Sequence, residues 1–206
     1  MIITYLGKEF FKIQQGDLVV AINPVGKDSK EKSSRFGSRI ALSTMNHSDF
    51  NGFDNVSHGD TVPFEIKGPG DYEIQGIFIK GIQNESTYKG QKYINTIYSF
   101  SIDNISICFL GALTDSKISS SVIEQIENPD IIFIPIGGSD TINPTEAYKL
   151  AVSLDAKVII PMEHDDKLLK AFLKEGGQEG LKSIDKLTTK VKELSDKEAE
   201  IVVLDA

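Results

Sequence analysis

The chain has 206 residues, a formal net charge of −8 and a single cysteine, Cys108. This length supports one substantial core, so we predict a single domain spanning residues 1–206. The acidic charge argues against a nucleic-acid partner, because phosphate binding requires a basic surface. One cysteine forms no disulfide within the chain, which indicates the cytoplasm. No apolar run approaches the roughly 18 residues that cross a bilayer, so we expect no membrane partner.

The first half of the sequence predicts short strands. Apolar or alternating segments bounded by Gly, Asn or Pro predict them at residues 2–5, 10–14, 18–22, 40–43, 62–66, 72–74, 77–82, 93–102 and 105–110. Gly76 is a candidate bulge, residues 83–91 are a predicted hairpin loop, and Asp103-Asn104 is a turn signal. The basic, serine-rich residues 26–38 lack a period and predict a surface loop.

The second half alternates between helices and strands. Helical spacing predicts helices at residues 116–127, 143–154 and 167–174, and apolar runs predict buried strands at 130–136 and 158–160. Residues 187–191 and 200–204 predict a closing pair of strands, although a helix also fits the first segment. This order favours an α/β fold with helices outside the sheets.

The loop after the strand at residues 40–43 carries His47 and Asp49, two positions apart. Alternate residues of an extended segment point to the same side, so the imidazole and the carboxylate could converge on one point. They would then be metal ligands, or they would order the loop by hydrogen bonds. Both interpretations remain open at this stage.

This segment resembles the T-H-x-H-x-D-H motif of the metallo-β-lactamase superfamily. Thr44, His47 and Asp49 match the motif, whereas Met45 and Phe50 replace two of its histidines. Three longer segments resemble the short, lactonase-like branch of small zinc-dependent hydrolases: GPGDYEIQGIFIKGI at residues 68–82, ICFLGAL at 107–113 and PTEAYKLAVSLDAKVIIPM at 144–162. The resemblance implies an α/β fold of the αββα sandwich type.

The resemblance also implies a metal site, most of whose ligands are missing. An intact two-zinc site uses about five His and two Asp, whereas this chain has only three histidines, His47, His58 and His164. Ala112 stands where the bridging aspartate belongs, and Glu163 where the last histidine belongs. The candidate metal ligands are therefore the following four residues: His47, Asp49, Glu163 and His164. Asp49 is also the candidate catalytic base, and the cofactor is either none or one divalent metal, with zinc expected.

Two hypotheses about function follow. In the first, the chain is a non-catalytic or weakly active pseudoenzyme that binds a small molecule, and Met45, Phe50 and Phe109 form an apolar plug in a former metal pocket. In the second, it is a single-metal hydrolase of a small ester, lactone or phosphorylated substrate. Relatives in this branch form multimers, so the resemblance also suggests a homo-oligomer. Cys108 is predicted to be inert core.

Overall fold

The computed structural model describes residues 1–126 and 128–206. The strands in chain order are β1 (Ile2–Tyr5), β2 (Phe11–Gln15), β3 (Leu18–Ile22), β4 (Ile40–Leu42), β5 (Phe64–Ile66), β6 (Gly70–Ile74), β7 (Ile77–Tyr88), β8 (Gln91–Ile102), β9 (Ile105–Phe109), β10 (Ile131–Pro135), β11 (Val158–Met162), β12 (Leu187–Thr188) and β13 (Glu200–Ile201). The α-helices are α1 (Ser120–Ile123), α2 (Pro144–Ser153) and α3 (Asp166–Glu175).

The strands form two sheets. The first sheet has the order β12-β1-β2-β3-β4-β5, and the second has the order β13-β11-β10-β9-β8-β7-β6. In each sheet, antiparallel hairpins give way to parallel strands, at β3–β4 in the first and at β9–β10 in the second. The fully buried apolar sequences of β4 and β10 explain this change, because parallel strands are covered on both faces.

The main core lies between the two sheets and is rich in aromatic side chains. The Phe11 ring of the first sheet meets two rings of the second, with centroid distances of 4.7 Å to Phe133 and 5.9 Å to Phe109. All three side chains are completely buried. Phe109 therefore belongs to the core between the sheets and not to a plug with Met45 and Phe50, which corrects that part of the sequence hypothesis.

The two outer faces of the sandwich are covered differently. The α-helices pack on the second sheet, where Ala147, Leu150 and Phe172 join the buried residues of β10 and β11. The outer face of the first sheet is covered by Phe10, Val25 and a short 3-10 helix, Phe53–Val56. The predicted α/β sandwich fold is confirmed, with the α-helical layer on the second sheet. No helix within residues 1–126 and 128–206 is long and apolar enough to cross a membrane.

Most predicted elements occur within a few residues of their expected bounds, but four expectations were wrong. Residues 83–88 continue β7 as a strand, so the hairpin loop shrinks to the Lys89-Gly90 turn. Gly76 lies in the turn between β6 and β7 and is not a bulge. The helix predicted at residues 116–127 is present only as the single turn α1. The last residue of the predicted range, Glu127, lies outside the described residues. The closing strands do not pair with each other, because β12 joins β1 and β13 joins β11.

Cys108 lies on β9 and is completely buried. Burial raises the pKa of its thiol to about 12, so the nucleophilic thiolate is scarce at neutral pH. This confirms the expectation that Cys108 is buried core.

We expect Phe11→Ala to lower the free energy of unfolding by about 3–5 kcal/mol, because it leaves a cavity against two other rings. Urea denaturation followed by circular dichroism measures this change. Phe78→Ala is the matched control, because Phe78 is 69% exposed and its truncation should cost little. Equal losses in the two variants would contradict the assignment of Phe11 to the core between the sheets.

Candidate functional site

The loop that follows β4 is anchored at Thr44, whose backbone N–H and side-chain hydroxyl both form hydrogen bonds with Asn23. The Thr44 N–H donates to Asn23 Oδ1 at 2.8 Å, and Asn23 Nδ2 donates to Thr44 Oγ1 at 2.9 Å. Asn23 Nδ2 also donates to Glu9 Oε2 at 2.9 Å. Because Asn23, Thr44 and Glu9 are all buried, these bonds replace water and fix the start of the loop against the turn after β1.

Two glycines allow this loop to pack closely against its neighbours. A Cβ at Gly52 would lie 2.3 Å from the Val25 carbonyl oxygen, so only glycine permits the backbone approach there. Gly111 has a φ of +63°, and a Cβ on it would meet Asn95 Oδ1 at 2.4 Å. The positions next to the loop are therefore too tight for larger residues.

Asp49 lies in this loop and its carboxylate accepts three side-chain hydrogen bonds. Oδ1 accepts from Ser29 Oγ at 2.6 Å, and Oδ2 accepts from Tyr88 OH at 2.7 Å and from Lys89 Nζ at 2.6 Å. Burial by itself would raise the pKa of Asp49, but the bonds from Lys89, Ser29 and Tyr88 outweigh it and lower the pKa to about 2. Asp49 is therefore a firmly held anion.

His47 lies beside Asp49, as the sequence predicted. Its Nδ1 accepts the Asp49 N–H at 3.1 Å and lies 3.5 Å from Asp49 Oδ2. The imidazole stands among aromatic rings, with its centroid 5.2 Å from that of Tyr88 and 5.9 Å from that of Tyr93. The pair thus orders the loop by a hydrogen bond, which was one of the two interpretations of the sequence.

The diverged motif positions form a small apolar cluster. Met45, Phe50 and Ala112 are buried together with Tyr88, and the Phe50 and Tyr88 ring centroids are 5.1 Å apart. The predicted apolar contact between Met45 and Phe50 is present, and it includes Ala112 and Tyr88. Tyr88 was not predicted as a site residue, because residues 83–91 were expected to form a loop and not the end of a strand.

Glu163 directly follows β11 and is bound to the turn after β1, not to Asp49. Its carboxylate Oε1 forms an ion pair with Lys8. Its N–H donates to the Lys8 carbonyl at 2.9 Å. Glu163 has a φ of +57° and Lys8 a φ of +57°, a backbone region that disfavours non-glycine residues and is often found at functional sites. Lys8 was not predicted as a site residue, because its segment was predicted only as a turn between two strands.

Glu9 and Glu163 form a buried pair of carboxyl groups. Glu9 is completely buried, and burial, followed by repulsion from Glu163, raises its pKa well above the usual value. Burial also raises the pKa of Glu163, against the lowering effect of Lys8. Glu9, which lacks a lysine of its own, therefore holds a proton more firmly than Glu163 does.

The remaining two histidines stand apart from the His47–Asp49 pair. The His164 ring centroid lies 6.3 Å from that of Tyr5, and its buried Nε2 has no partner in the described part of the chain. Burial lowers the pKa of His164, so the imidazole is neutral at pH 7. His58 is exposed in a turn, where it pairs with Thr61 and packs near Gly37.

Comparison with known proteins assigns the family. The profile of the β-lactamase superfamily domain matches residues 2–163. The chain belongs to the metallo-β-lactamase superfamily. No curated protein matches the sequence.

Solved structures of this superfamily share the fold. A proposed Zn-dependent hydrolase from Thermotoga maritima superposes with a TM-score of 0.76 at 25% identity, covering 98% of this chain and 97% of that chain. A proposed metal-dependent hydrolase from Parabacteroides distasonis has a TM-score of 0.66 at 16% identity, covering 98% and 93%. The isothiocyanate hydrolase from Delia radicum gut bacteria has a TM-score of 0.67 at 13% identity, covering 93% and 100%.

The side chains at the superfamily's ligand positions do not fit a metal ion as they stand. Asp49 already accepts bonds on both oxygens, and Glu163 is paired with Lys8. Within residues 1–126 and 128–206, no three His, Cys, Asp or Glu side chains group so that they could hold a metal ion. The structure brings His47 to Asp49, but it does not gather Glu163 and His164 with them into one coordination sphere.

We expect Asp49→Asn to lower the free energy of unfolding at pH 7 by about 2 kcal/mol, because a depressed pKa measures the stabilisation of the folded anion. This contribution is present above the usual aspartate pKa of 3.8 and is lost as the pH falls through about 2. Urea denaturation of both proteins as a function of pH measures the difference.

The matched control is Asp54→Asn, which removes an exposed pair with Lys27 at 3.0 Å and should cost less than about 1 kcal/mol. If Asp49→Asn cost no more than this surface change at pH 7, the carboxylate would not be held as described.

Glu9→Gln tests the protonation of the buried pair. Glutamine imitates a protonated Glu9, because it can donate to Glu163 and accept from Asn23. A raised pKa stabilises the fold below the usual value of 4.5, and that stability is lost as the pH rises towards the raised pKa. Relative to the variant, the wild type should therefore lose stability as the pH rises above about 4.5. Parallel curves of unfolding free energy against pH would show that Glu9 is ionised in the folded protein.

Proposed function

We propose that this chain is a non-catalytic or weakly active member of the metallo-β-lactamase superfamily that binds a small molecule. The three donors on Asp49 carry this proposal. A metal ion or a substrate proton would have to compete with them, because Oδ1 accepts from Ser29 and Oδ2 accepts from both Tyr88 and Lys89. A carboxylate with a pKa of about 2 is also a weak base at neutral pH.

The plug supports the same proposal. Met45 and Phe50 occupy buried positions beside Asp49, and neither side chain coordinates zinc well. Ala112 offers no carboxylate to bridge two ions. These substitutions leave an apolar wall where the superfamily's motif would direct metal ligands.

We propose that the small molecule binds in a cavity beside the same loop. The cavity has a volume of about 300 Å³ and is lined by Ser43, Asn46, Asn51, Phe53 and Lys67. Its lining offers a hydroxyl, two amides and the Lys67 ammonium group, which lies 5.0 Å from the centre of the Phe53 ring and pairs with Glu65 at 2.5 Å. An anion in the cavity would therefore compete with Glu65 for Lys67. These groups suit a small anion such as a carboxylate or phosphate compound, and the volume is at the lower end for ligand sites.

The alternative proposal is a single-metal hydrolase of a small ester, lactone or phosphorylated substrate, with zinc as the ion. The approach of His47 Nδ1 to Asp49 Oδ2, at 3.5 Å, is the observation in its favour. Metal binding there would require Lys89 to leave the carboxylate. We also propose a cytoplasmic location, which the single buried cysteine supports. Homo-oligomerisation stays a prediction.

Elemental analysis and a hydrolysis screen test the proposal on protein purified without a metal-affinity tag. We expect much less than one zinc, iron or manganese per chain. We also expect no turnover of p-nitrophenyl esters, γ-lactones or p-nitrophenyl phosphate above that of the His47→Ala variant. About one metal per chain, lost together with a measurable activity in His47→Ala, would establish the hydrolase instead.

Thermal-shift titration with small carboxylates and phosphates tests the proposed cavity. An anion that binds there should raise the melting temperature of the wild type and of Lys182→Met, an exposed control. The same anion should bind Lys67→Met with a dissociation constant at least about tenfold higher, as expected for the loss of one charge-assisted hydrogen bond. Equal binding to both variants would place the anion elsewhere.

A further inference from the structure

Two lysine ammonium groups lie beside the Tyr88 ring in the former metal pocket. Lys8 Nζ is 5.3 Å and Lys89 Nζ is 5.1 Å from the centre of that ring. Each is paired with a carboxylate at a ligand position of the superfamily, Lys8 with Glu163 and Lys89 with Asp49. The two positive charges therefore match one carboxylate that the motif retains, Asp49, and one that stands at a histidine position, Glu163.

Both lysines reach the pocket from tight turns, in a backbone conformation that is unfavourable for them. Lys8 follows β1 with a φ of +57°, and Lys89 follows β7 with a φ of +48°. Such turn positions favour glycine, asparagine or aspartate. Lysine at both positions is explained by what its side chain contacts and not by the turn itself.

The turn that carries Lys8 is fixed to the opposite sheet by its backbone. The Lys8 carbonyl accepts from the Glu163 N–H at 2.9 Å and from Tyr5 OH at 2.7 Å. The Lys8 side chain is largely buried, with 11% of its area exposed. An ammonium group in such a place must be paired, because an unpaired buried charge is costly.

The carboxyl groups of Glu9 and Glu163, next to Lys8, have more acceptor oxygens than the Lys8 ammonium group pairs with. Glu9 Oε1 and Glu163 Oε2 are buried and have no hydrogen-bond partner within residues 1–126 and 128–206. Glu9 is completely buried and Glu163 has 11% of its side chain exposed. Two adjacent buried carboxyl groups of this kind resemble half of a site for an oxygen-preferring divalent cation.

We propose that the ammonium groups of Lys8 and Lys89 replace metal ions in this chain as built-in cations. They neutralise Glu163 and Asp49 and join the turn after β1 and the β7–β8 hairpin to the motif loop. A consequence is that the chain has a latent divalent-cation site at Glu9 and Glu163, which Lys8 keeps closed.

The Lys8→Met variant tests this inference, with Mn²⁺ as the probe because carboxylate oxygens suit it. We expect the variant to melt roughly 10 °C below the wild type, since one partner of a buried ion pair has been removed. Millimolar MnCl₂ should raise the melting temperature of the variant by roughly 5 °C and leave the wild type unchanged. Isothermal titration calorimetry should show Mn²⁺ binding to the variant only.

Two further variants separate charge pairing from simple loss of packing. Lys8→Met/Glu163→Gln removes both charges, so it should regain most of the lost stability and should not respond to Mn²⁺. Lys12→Met is the matched control, because Lys12 Nζ lies 5.2 Å from the centre of the Phe36 ring, in a similar contact with an aromatic ring outside the pocket. Its melting temperature should equal that of the wild type and should not change when MnCl₂ is added.

The inference would be overturned if Lys8→Met melted like Lys12→Met, or if Glu163→Gln failed to compensate for it. Mn²⁺ binding to the wild type would likewise show that Lys8 does not close the site. If Lys8→Met does not fold, the half-exposed Lys89 provides the same cycle with Lys89→Met and Asp49→Asn, and an absence of coupling there has the same meaning.

This test is independent of the proposed function. Hydrolytic activity in the wild type would overturn the proposed function and leave the coupling between Lys8 and Glu163 intact. An absence of coupling would overturn the built-in cations and leave the small-molecule cavity unaffected.

Discussion

The need of a buried carboxylate for positive charge or hydrogen-bond donors shapes this site. Asp49 is almost inaccessible to solvent, yet it remains an anion because Ser29, Tyr88 and Lys89 all donate to it. Taking such a group out of water without partners would cost several kcal/mol. Hydrogen-bond donors from two distant segments, the loop that carries Ser29 and the β7–β8 hairpin, meet this need here. The loop, the hairpin and the basic segment are therefore held together by one anion.

Apolar residues and lysines have different roles around the carboxylates of this pocket. Replacing a ligand by Phe50 removes coordination and leaves Asp49 and Glu163 with unbalanced charge. Apolar residues fill volume, but they cannot offset a buried charge. The Phe50 ring and the Lys89 ammonium group both contact Tyr88, the first by packing at 5.1 Å between centroids and the second at 5.1 Å from the ring centre. Tyr88 thus packs against the apolar residue Phe50 and also against the Lys89 ammonium group that pairs with Asp49.

The sequence predicted the sandwich well because its signals there are local. Residues 18–22 form a strand with the predicted bounds, and α2 begins at Pro144 after the Asn143 cap, as the turn chemistry indicates. The site was predicted only in part. The pairing of His47 with Asp49 follows from their spacing, but the partners Lys8 and Lys89 lie 155 and 40 residues from their carboxylates. No local period encodes such contacts, and lysine in a turn ordinarily indicates solvent exposure.

The motif loop is held rigidly on both sides, which suits the binding function that we propose. The loop start is fixed by the buried hydrogen bonds between Asn23 and Thr44, and its end is fixed by the close backbone approach at Gly52. A hydrolase needs a nucleophile and a base that change protonation during the reaction, whereas Asp49 is held in one state by its donors. A preformed wall with fixed amides at Asn46 and Asn51 needs no such change to recognise a ligand. The arrangement of charges around Asp49 is thus compatible with the binding function that we propose.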